Sequence, residues 1–313
     1  MRVLVTGITG FIGGALAPRL LAAGHELRGF ARDPTRLPQP AAQIEMVTGD
    51  ALTGRGLRRA LDGVDAAYYL IHSLEPSSDG SLIERERRAA DRFAAAVQAA
   101  GVQRVVYLGG LIPHDAPPGQ HLASRLEVER VLLSAAPAAV ALRASVVVGA
   151  RGRSFRFLVR LVERMPMLIL PAWRKRRTQP IDERDVLACL VGALELDPTN
   201  PAAPRSLDIA GPDVLSYGVM VQRIRDLLLL GRPTIGLGFT ATPLASRVAA
   251  AVAGEAPELI GPLMAGLDHD LLPRSPTAAD ESAALFGVRR HSFDSAVEHA
   301  LRELEQQGPV RAR

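Results

Sequence analysis

Close to the amino end, the β-branched run Arg2-Val3-Leu4-Val5-Thr6 leads directly into Gly7-Ile8-Thr9-Gly10-Phe11-Ile12-Gly13. Each glycine has its own mechanical use at this spacing. Gly7 permits a tight turn out of the strand, a side chain at Gly10 would fill the space of a phosphate, and Gly13 lets the next helix pack close to the strand. The first turn of that helix carries backbone N–H groups with no carbonyl partner, which is chemistry for an anion. With a strand before it and an amphipathic helix after it, the triplet is placed to bind the pyrophosphate of a dinucleotide.

Nineteen residues beyond Gly13 stands Arg32, at the end of the second apolar run, with Asp33 next to it and Arg36 one turn on. An acid at this point accepts from the ribose hydroxyls of NAD, whereas arginine pairs with the 2′-phosphate of NADP. Two arginines against one aspartate favour NADP over NAD. Asp50, which ends the third run at Gly49-Asp50, can accept from the adenine amino group or cap a helix. A second group of residues could move protons. His121 and Arg125 lie at i and i+4 on one helical face, and His72 and Ser73 follow the apolar run Val64–Ile71. Histidine gives or takes a proton near neutral pH, while arginine acts only as a fixed charge.

The elements that must hold these residues alternate. Strand patterns at 2–6, 26–31, 44–48, 64–71, 104–108 and 138–148 are separated by helical patterns at 11–23, 84–100 and 121–134. Such alternation implies right-handed crossovers and an α/β, doubly wound parallel sheet of the Rossmann type. Ligands bind outside the carboxyl ends of such strands, which places His72 and Ser73 near the reacting end and Gly109 along the cofactor ribose. Residues 1–150 read as the dinucleotide-binding core. Residues 151–313 read as a smaller, mostly helical substrate lobe with segments returning to the sheet.

Composition narrows the functional classes. In 313 residues, Lys and Arg total 37 against 33 Asp and Glu, for a net charge of +4. Lys175 is the one lysine, and so small an excess over so long a chain argues against a nucleic-acid partner. The single cysteine, Cys189, excludes an internal disulfide, and no cluster reads as a metal site. No signal peptide pattern opens the chain, and the longest apolar stretch, Val131 to Ala150, is interrupted by Pro137 and Arg143. No membrane partner and a cytoplasmic location are therefore expected.

Thr6-Gly-x-x-Gly-x-x-Gly13, Gly49-Asp50 and Tyr68-Tyr69-Leu70-Ile71-His72-Ser73 resemble the atypical and extended short-chain dehydrogenase/reductase superfamily, in its NAD(P)H-binding, NmrA-like and epimerase-like branch. Val105-Val106-Tyr107-Leu108-Gly109-Gly110-Leu111, His121-Leu122-x-Ser124-Arg125 and Thr178-Gln179-Pro180-Ile181-x-x-x-Asp185-Val186 extend the likeness over about residues 1 to 215. The resemblance implies that Gly7, Thr9, Gly10, Phe11, Ile12, Gly13, Arg32, Arg36, Asp50, Ala51, Leu70, Ile71, Gly109 and Arg125 contact the cofactor. It also implies a possible homodimer.

Catalysis in the superfamily usually rests on Tyr-x-x-x-Lys, in which tyrosine moves the proton and lysine lowers its pKa. Here Tyr68, Tyr69, Tyr107 and Tyr217 are followed four residues later by His72, Ser73, Leu111 and Val221, so the dyad is absent. His121-x-x-x-Arg125 stands in its place. The resemblance thus makes His121 the candidate acid and Arg125 the holder of the ribose, with His72 and Ser73 able to position a water. Three readings stay open: an NADP-dependent oxidoreductase acting on an enone, quinone, imine or ketone; a cofactor-sensing regulator without turnover; and a redox-neutral epimerase, dehydratase or cyclase.

Overall fold

A computed structural model describes residues 1–37, 42–72, 82–197, 205–238 and 266–307. Strands β1 (Arg2–Thr6), β2 (Glu26–Ala31), β3 (Ile44–Thr48), β4 (Ala66–Tyr69), β5 (Arg104–Gly110) and β6 (Val140–Ala144) are joined by helices α1 (Phe11–Ala22), α2 (Leu57–Leu61), α3 (Leu82–Ala100) and α4 (Gln120–Leu133). The order across the sheet is β3-β2-β1-β4-β5-β6, and a later strand extends it on the β6 side. Every pairing is parallel. Strands buried on both faces must be apolar throughout, as Val3-Leu4-Val5 and Val105-Val106-Tyr107-Leu108 are. One face packs on α1 through Leu16, Ala17 and Leu20, and the other on α2, α3 and α4 through Leu57, Phe93 and Val128.

The apolar run 138–148 is two strands rather than one. β6 stops at Ala144, Ser145 turns its hydroxyl to Thr178 Oγ1 at 2.9 Å, and β7 (Val147–Val148) leaves the sheet. After α5 (Arg153–Arg164), β8 (Leu168–Leu170) and β9 (Arg177–Thr178), the short strand β10 (Ile181–Asp182) pairs with β7. Helix α6 (Glu183–Gly192) starts where the Asp182 carboxylate accepts from the Arg184 amide at 2.7 Å, and it then packs on α1. β11 (Ser206–Ile209) is the seventh strand of the main sheet, beside β6.

The remaining elements are β12 (Leu215–Ser216), α7 (Tyr217–Leu227), β13 (Thr234–Gly236), α8 (Ala278–Leu285) and α9 (Phe293–Gln307). Phe155, Val162, Trp173, Tyr217, Ile224, Phe293 and Val297 form the apolar core shared by α5, α7 and α9. The basic run 173–177 is not a free strip. Trp173 is buried, the Arg174 guanidinium is bonded to the Leu237 carbonyl, and Arg177 pairs with Asp270 at 2.8 Å. Among the described residues, no helix is long and apolar enough to cross a membrane.

The edge of the sheet is locked by charge. Glu129 on α4 is 3% exposed and accepts from Arg143 Nη2 at 2.7 Å, from Arg143 Nε at 2.9 Å and from Ser206 Oγ at 2.6 Å. One carboxylate therefore ties α4, β6 and β11 together. Removing one partner of such a pair strands a charge out of water. Glu129→Ala is expected to lower unfolding free energy in urea by about 3 kcal/mol. A loss under about 1 kcal/mol would contradict this role for the carboxylate.

Candidate active site

Strand order reverses between β1 and β4, the point at which parallel sheets of this kind open a crevice at the carboxyl ends of their strands. The Thr6 hydroxyl donates to the Tyr68 carbonyl at 2.9 Å and accepts from the Leu70 amide at 3.3 Å, which closes the seam. Gly7 follows with φ +69°, and a Cβ there would overlap the Leu70 carbonyl oxygen. A Cβ on Gly13 would overlap the Gly7 carbonyl, so α1 sits directly on the loop. Gly10 differs. It is exposed, and its Cβ would meet only the Gly7 oxygen, at 3.0 Å. It is also the N-cap of α1 and offers no side-chain cap. The space above Gly10 and the free amides of Phe11 and Ile12 suit a diphosphate, so the loop fits a dinucleotide.

Around this loop, Leu70 is buried, Ile71 is half-buried, and Ala51 is buried behind Asp50. Asp50 spends Oδ1 on the Leu52 amide at 2.8 Å, an Asx turn that fixes the loop after β3 and leaves Oδ2 for a ligand. At the end of β2, Asp33 Oδ1 accepts from Thr35 N at 3.0 Å and from Thr35 Oγ1 at 2.6 Å. These bonds, with Arg36 nearby, hold the exposed Asp33 carboxyl below the usual carboxylate range. Arg32 and Arg36 are exposed and ion-paired to no described residue. Thr9 is half-buried on the loop.

The proton-moving residues lie farther along the same edge. The Arg125 guanidinium donates through Nη1 to His72 Nδ1. Arginine has no acceptor, so His72 Nδ1 must present its lone pair and the ring proton sits on Nε2. Loss of water around its ring nitrogens, then Arg125, then His121 hold His72 well below the ordinary imidazole value, although one edge of the residue is exposed. His121 is pushed down to about 4 by burial and then by Arg125. Its Nδ1 is sealed without a partner. Burial first, and Arg125 second, lower both imidazoles, which disfavours the protonated ring that a donor near neutral pH would need. Ser73 lies outside the described residues.

Beneath these side chains is a buried polar layer that sequence reasoning missed. Ser124 Oγ donates to Glu86 Oε2 at 2.5 Å, and Tyr107 Oη donates to the Arg125 carbonyl at 3.3 Å. Tyr69 is buried against Phe93 and Tyr107 rather than set in the crevice, and burial raises its hydroxyl far above the phenol range. Gly109 carries no side chain because the Tyr107 ring edge lies 2.9 Å from where its Cβ would be. The signal was present on α4. Ser124, Arg125, Val128, Glu129 and Leu132 follow helical spacing toward the sheet, and three of these five buried positions are polar or charged. A hollow of about 430 Å³ among Arg2, His25, Glu26, Arg28 and Glu45 lies at the opposite, amino ends of the strands.

Residues 7–147 match the NAD(P)H-binding family. The chain carries this match from Gly7 of the glycine loop to Val147 at the start of β7. It is 34% identical to a 3-beta-hydroxysteroid dehydrogenase of Mycolicibacterium neoaurum over 114 residues, 34% of this chain and 31% of that protein. It is 25% identical to a ceramide reductase of Caulobacter vibrioides over 245 residues, 70% of this chain and 77% of that one. The chain thus matches about a third of the length of the mycobacterial relative. Its fold superposes on UDP-glucuronic acid 4-epimerase from Bacillus cereus, solved with UDP-glucuronic acid and NAD, with a TM-score of 0.73. That likeness spans 98% of this chain and 100% of that one at 16% identity.

The ring proton assignments can be read directly. In a proton NMR titration of the free protein, the His72 and His121 ring signals are expected to stay unshifted between about pH 6 and 8. A midpoint above about pH 6 for either residue would overturn the neutral assignment.

Proposed function

We propose that the protein is an NADP-dependent oxidoreductase that reduces a small-molecule substrate bearing an enone, quinone, imine or ketone group. The observation that carries this reading is the end of β2. Its one acid, Asp33, spends Oδ1 on Thr35, while Arg32 and Arg36 are exposed and, among the described residues, in no ion pair closer than 4 Å. Two guanidinium groups favour a phosphate there over a diol. Dehydrogenase and reductase names among the relatives favour redox turnover.

When bound, the nicotinamide supplies a hydride. The chain's own residues bind, orient and shield. The amides after Gly10 hold the pyrophosphate, Asp50 and Ala51 border the adenine, and Leu70, Ile71 and Gly109 wall the ribose and nicotinamide. Arg125 brings a fixed charge to the reacting end, with His72 and His121 as hydrogen-bond donors. Because burial and then Arg125 disfavour a protonated imidazole at either position, the site favours substrates whose reduction needs no strong acid. The substitution of both members of the usual dyad supports a second reading, a cofactor-sensing regulator.

Titration of the purified protein with NADPH and NADH, followed by a turnover screen against enones, quinones, imines and ketones, separates these readings. NADPH is expected to bind at least about tenfold more tightly than NADH, and Arg32→Ala to erase most of that preference. One acceptor class is expected to oxidise the bound NADPH. Binding without oxidation by any class would support the regulator instead, and equal affinity for the two nucleotides would remove the NADP assignment.

A further inference from the structure

Two opposite charges are buried beneath the reacting end, on helices that pack side by side. Glu86 of α3 and Arg125 of α4 are each 7% exposed, and Ser124, next to Arg125 in the chain, is buried. Ser124 Oγ donates to Glu86 Oε2 at 2.5 Å, so the carboxylate is tied to the residue that adjoins the guanidinium. Among the described residues Arg125 makes no ion pair, its Nη1 goes to His72, and its Nε is sealed without a partner. Both charges reach the same two phenols. Tyr107 donates to the Arg125 carbonyl, and its ring centre lies 6.3 Å from that of Tyr69. Burial raises both hydroxyls most, and then Glu86 raises them while Arg125 lowers them. Charges shut away from water are poorly screened, so each of this pair is felt wherever the other is.

We propose that Glu86 is the buried counter-charge of Arg125, a positioning residue that acts through Ser124 and the guanidinium and sets the balance between oxidised and reduced cofactor in the bound state. The inference rests on the reading that puts Arg125 at the nicotinamide end of a bound NADP, and it deepens that reading. The nicotinamide ring carries a positive charge in NADP⁺ and none in NADPH. An uncompensated guanidinium at that end favours the reduced form, and a carboxylate beneath it offsets the field. With both charges in place the oxidised ring is tolerated, and bound NADPH gives up its hydride more readily than it would over a bare arginine. Because Glu86 accepts from Ser124 rather than from Arg125, it lowers the net charge without occupying the guanidinium. Two buried charges of opposite sign also cost the fold less than a lone buried cation.

The test is the affinity of the protein for NADP⁺ and for NADPH, measured by calorimetric titration in the parent, Glu86→Gln and Glu86→Asp. Glutamine keeps an acceptor for Ser124 and removes the charge. It is expected to raise the ratio of the NADP⁺ to the NADPH dissociation constant at least about threefold, while aspartate holds that ratio within about twofold of the parent. A purely structural role would weaken both forms alike and leave the ratio where it was. An unchanged or lowered ratio in Glu86→Gln, or a Glu86→Asp ratio equal to that of Glu86→Gln, would overturn the proposal and leave the cofactor reading standing. A parent protein that binds neither form would remove both. If Glu86→Gln does not fold, Ser124→Ala decides. A buried carboxylate short of a donor takes up a proton more readily, so the ratio should rise in the same direction, and an unchanged ratio overturns the proposal.

Discussion

The Thr6 hydroxyl bridges the Tyr68 carbonyl and the Leu70 amide, and it pins β1 to β4 where the sheet reverses direction. Gly7 then passes beneath the Leu70 carbonyl, and Gly13 lies against the Gly7 carbonyl. No side chain fits at either contact. The amino end of α1 is thereby brought over the carboxyl ends of the strands, with the exposed Gly10 as its cap. The same pinning delivers Leu70, Ile71 and His72 to the crevice beside the loop. One close backbone approach therefore sets the cofactor cradle and the reacting end together.

The reacting end differs from the tyrosine and lysine arrangement in the sign of what it can give. A tyrosine beside lysine holds a transferable proton. A histidine beside a buried arginine is disfavoured in its protonated form, because desolvation and the fixed charge act in the same direction. The helix that carries His121 and Arg125 is held from below. Tyr107 bonds the Arg125 carbonyl, and Ser124 bonds Glu86, so α4 cannot rotate without breaking buried polar contacts. One turn on, Glu129 clamps Arg143 and Ser206. Helix α4 is thus tied to its neighbours at Ser124, Arg125 and Glu129.

Much of this architecture was legible in the residues. Apolar runs bounded by glycine located the six core strands of the first half, and the glycine triplet located the cradle, because strand and loop chemistry depend on neighbours in sequence. The run 138–148 was not divisible from its pattern, since Ser145 breaks the strand by bonding Thr178 far along the chain. The place of β11 at the sheet edge depends on Glu129, also a distant partner. His121 and Arg125 were visible as a helical pair, but the disfavouring of the histidine proton was not, since it comes from burial and from His72 reaching the same guanidinium across 53 positions. Asp33 read as a rival for the ribose until its bonds to Thr35 showed it committed to the turn.

The central claim is that empty space at Gly10, framed by two glycines that hold the fold, is the cofactor's phosphate site. Comparing Gly10→Ala with Gly13→Ala by thermal unfolding and NADPH titration tests it most directly. Gly10→Ala is expected to fold with a melting temperature within a few degrees of the parent, ~1 kcal/mol or less, yet to lose at least about tenfold in NADPH affinity. Gly13→Ala is expected to be severely destabilised, because the clash is with backbone. A Gly10→Ala protein that binds NADPH as the parent does would contradict the account, as would a Gly13→Ala protein of unchanged stability.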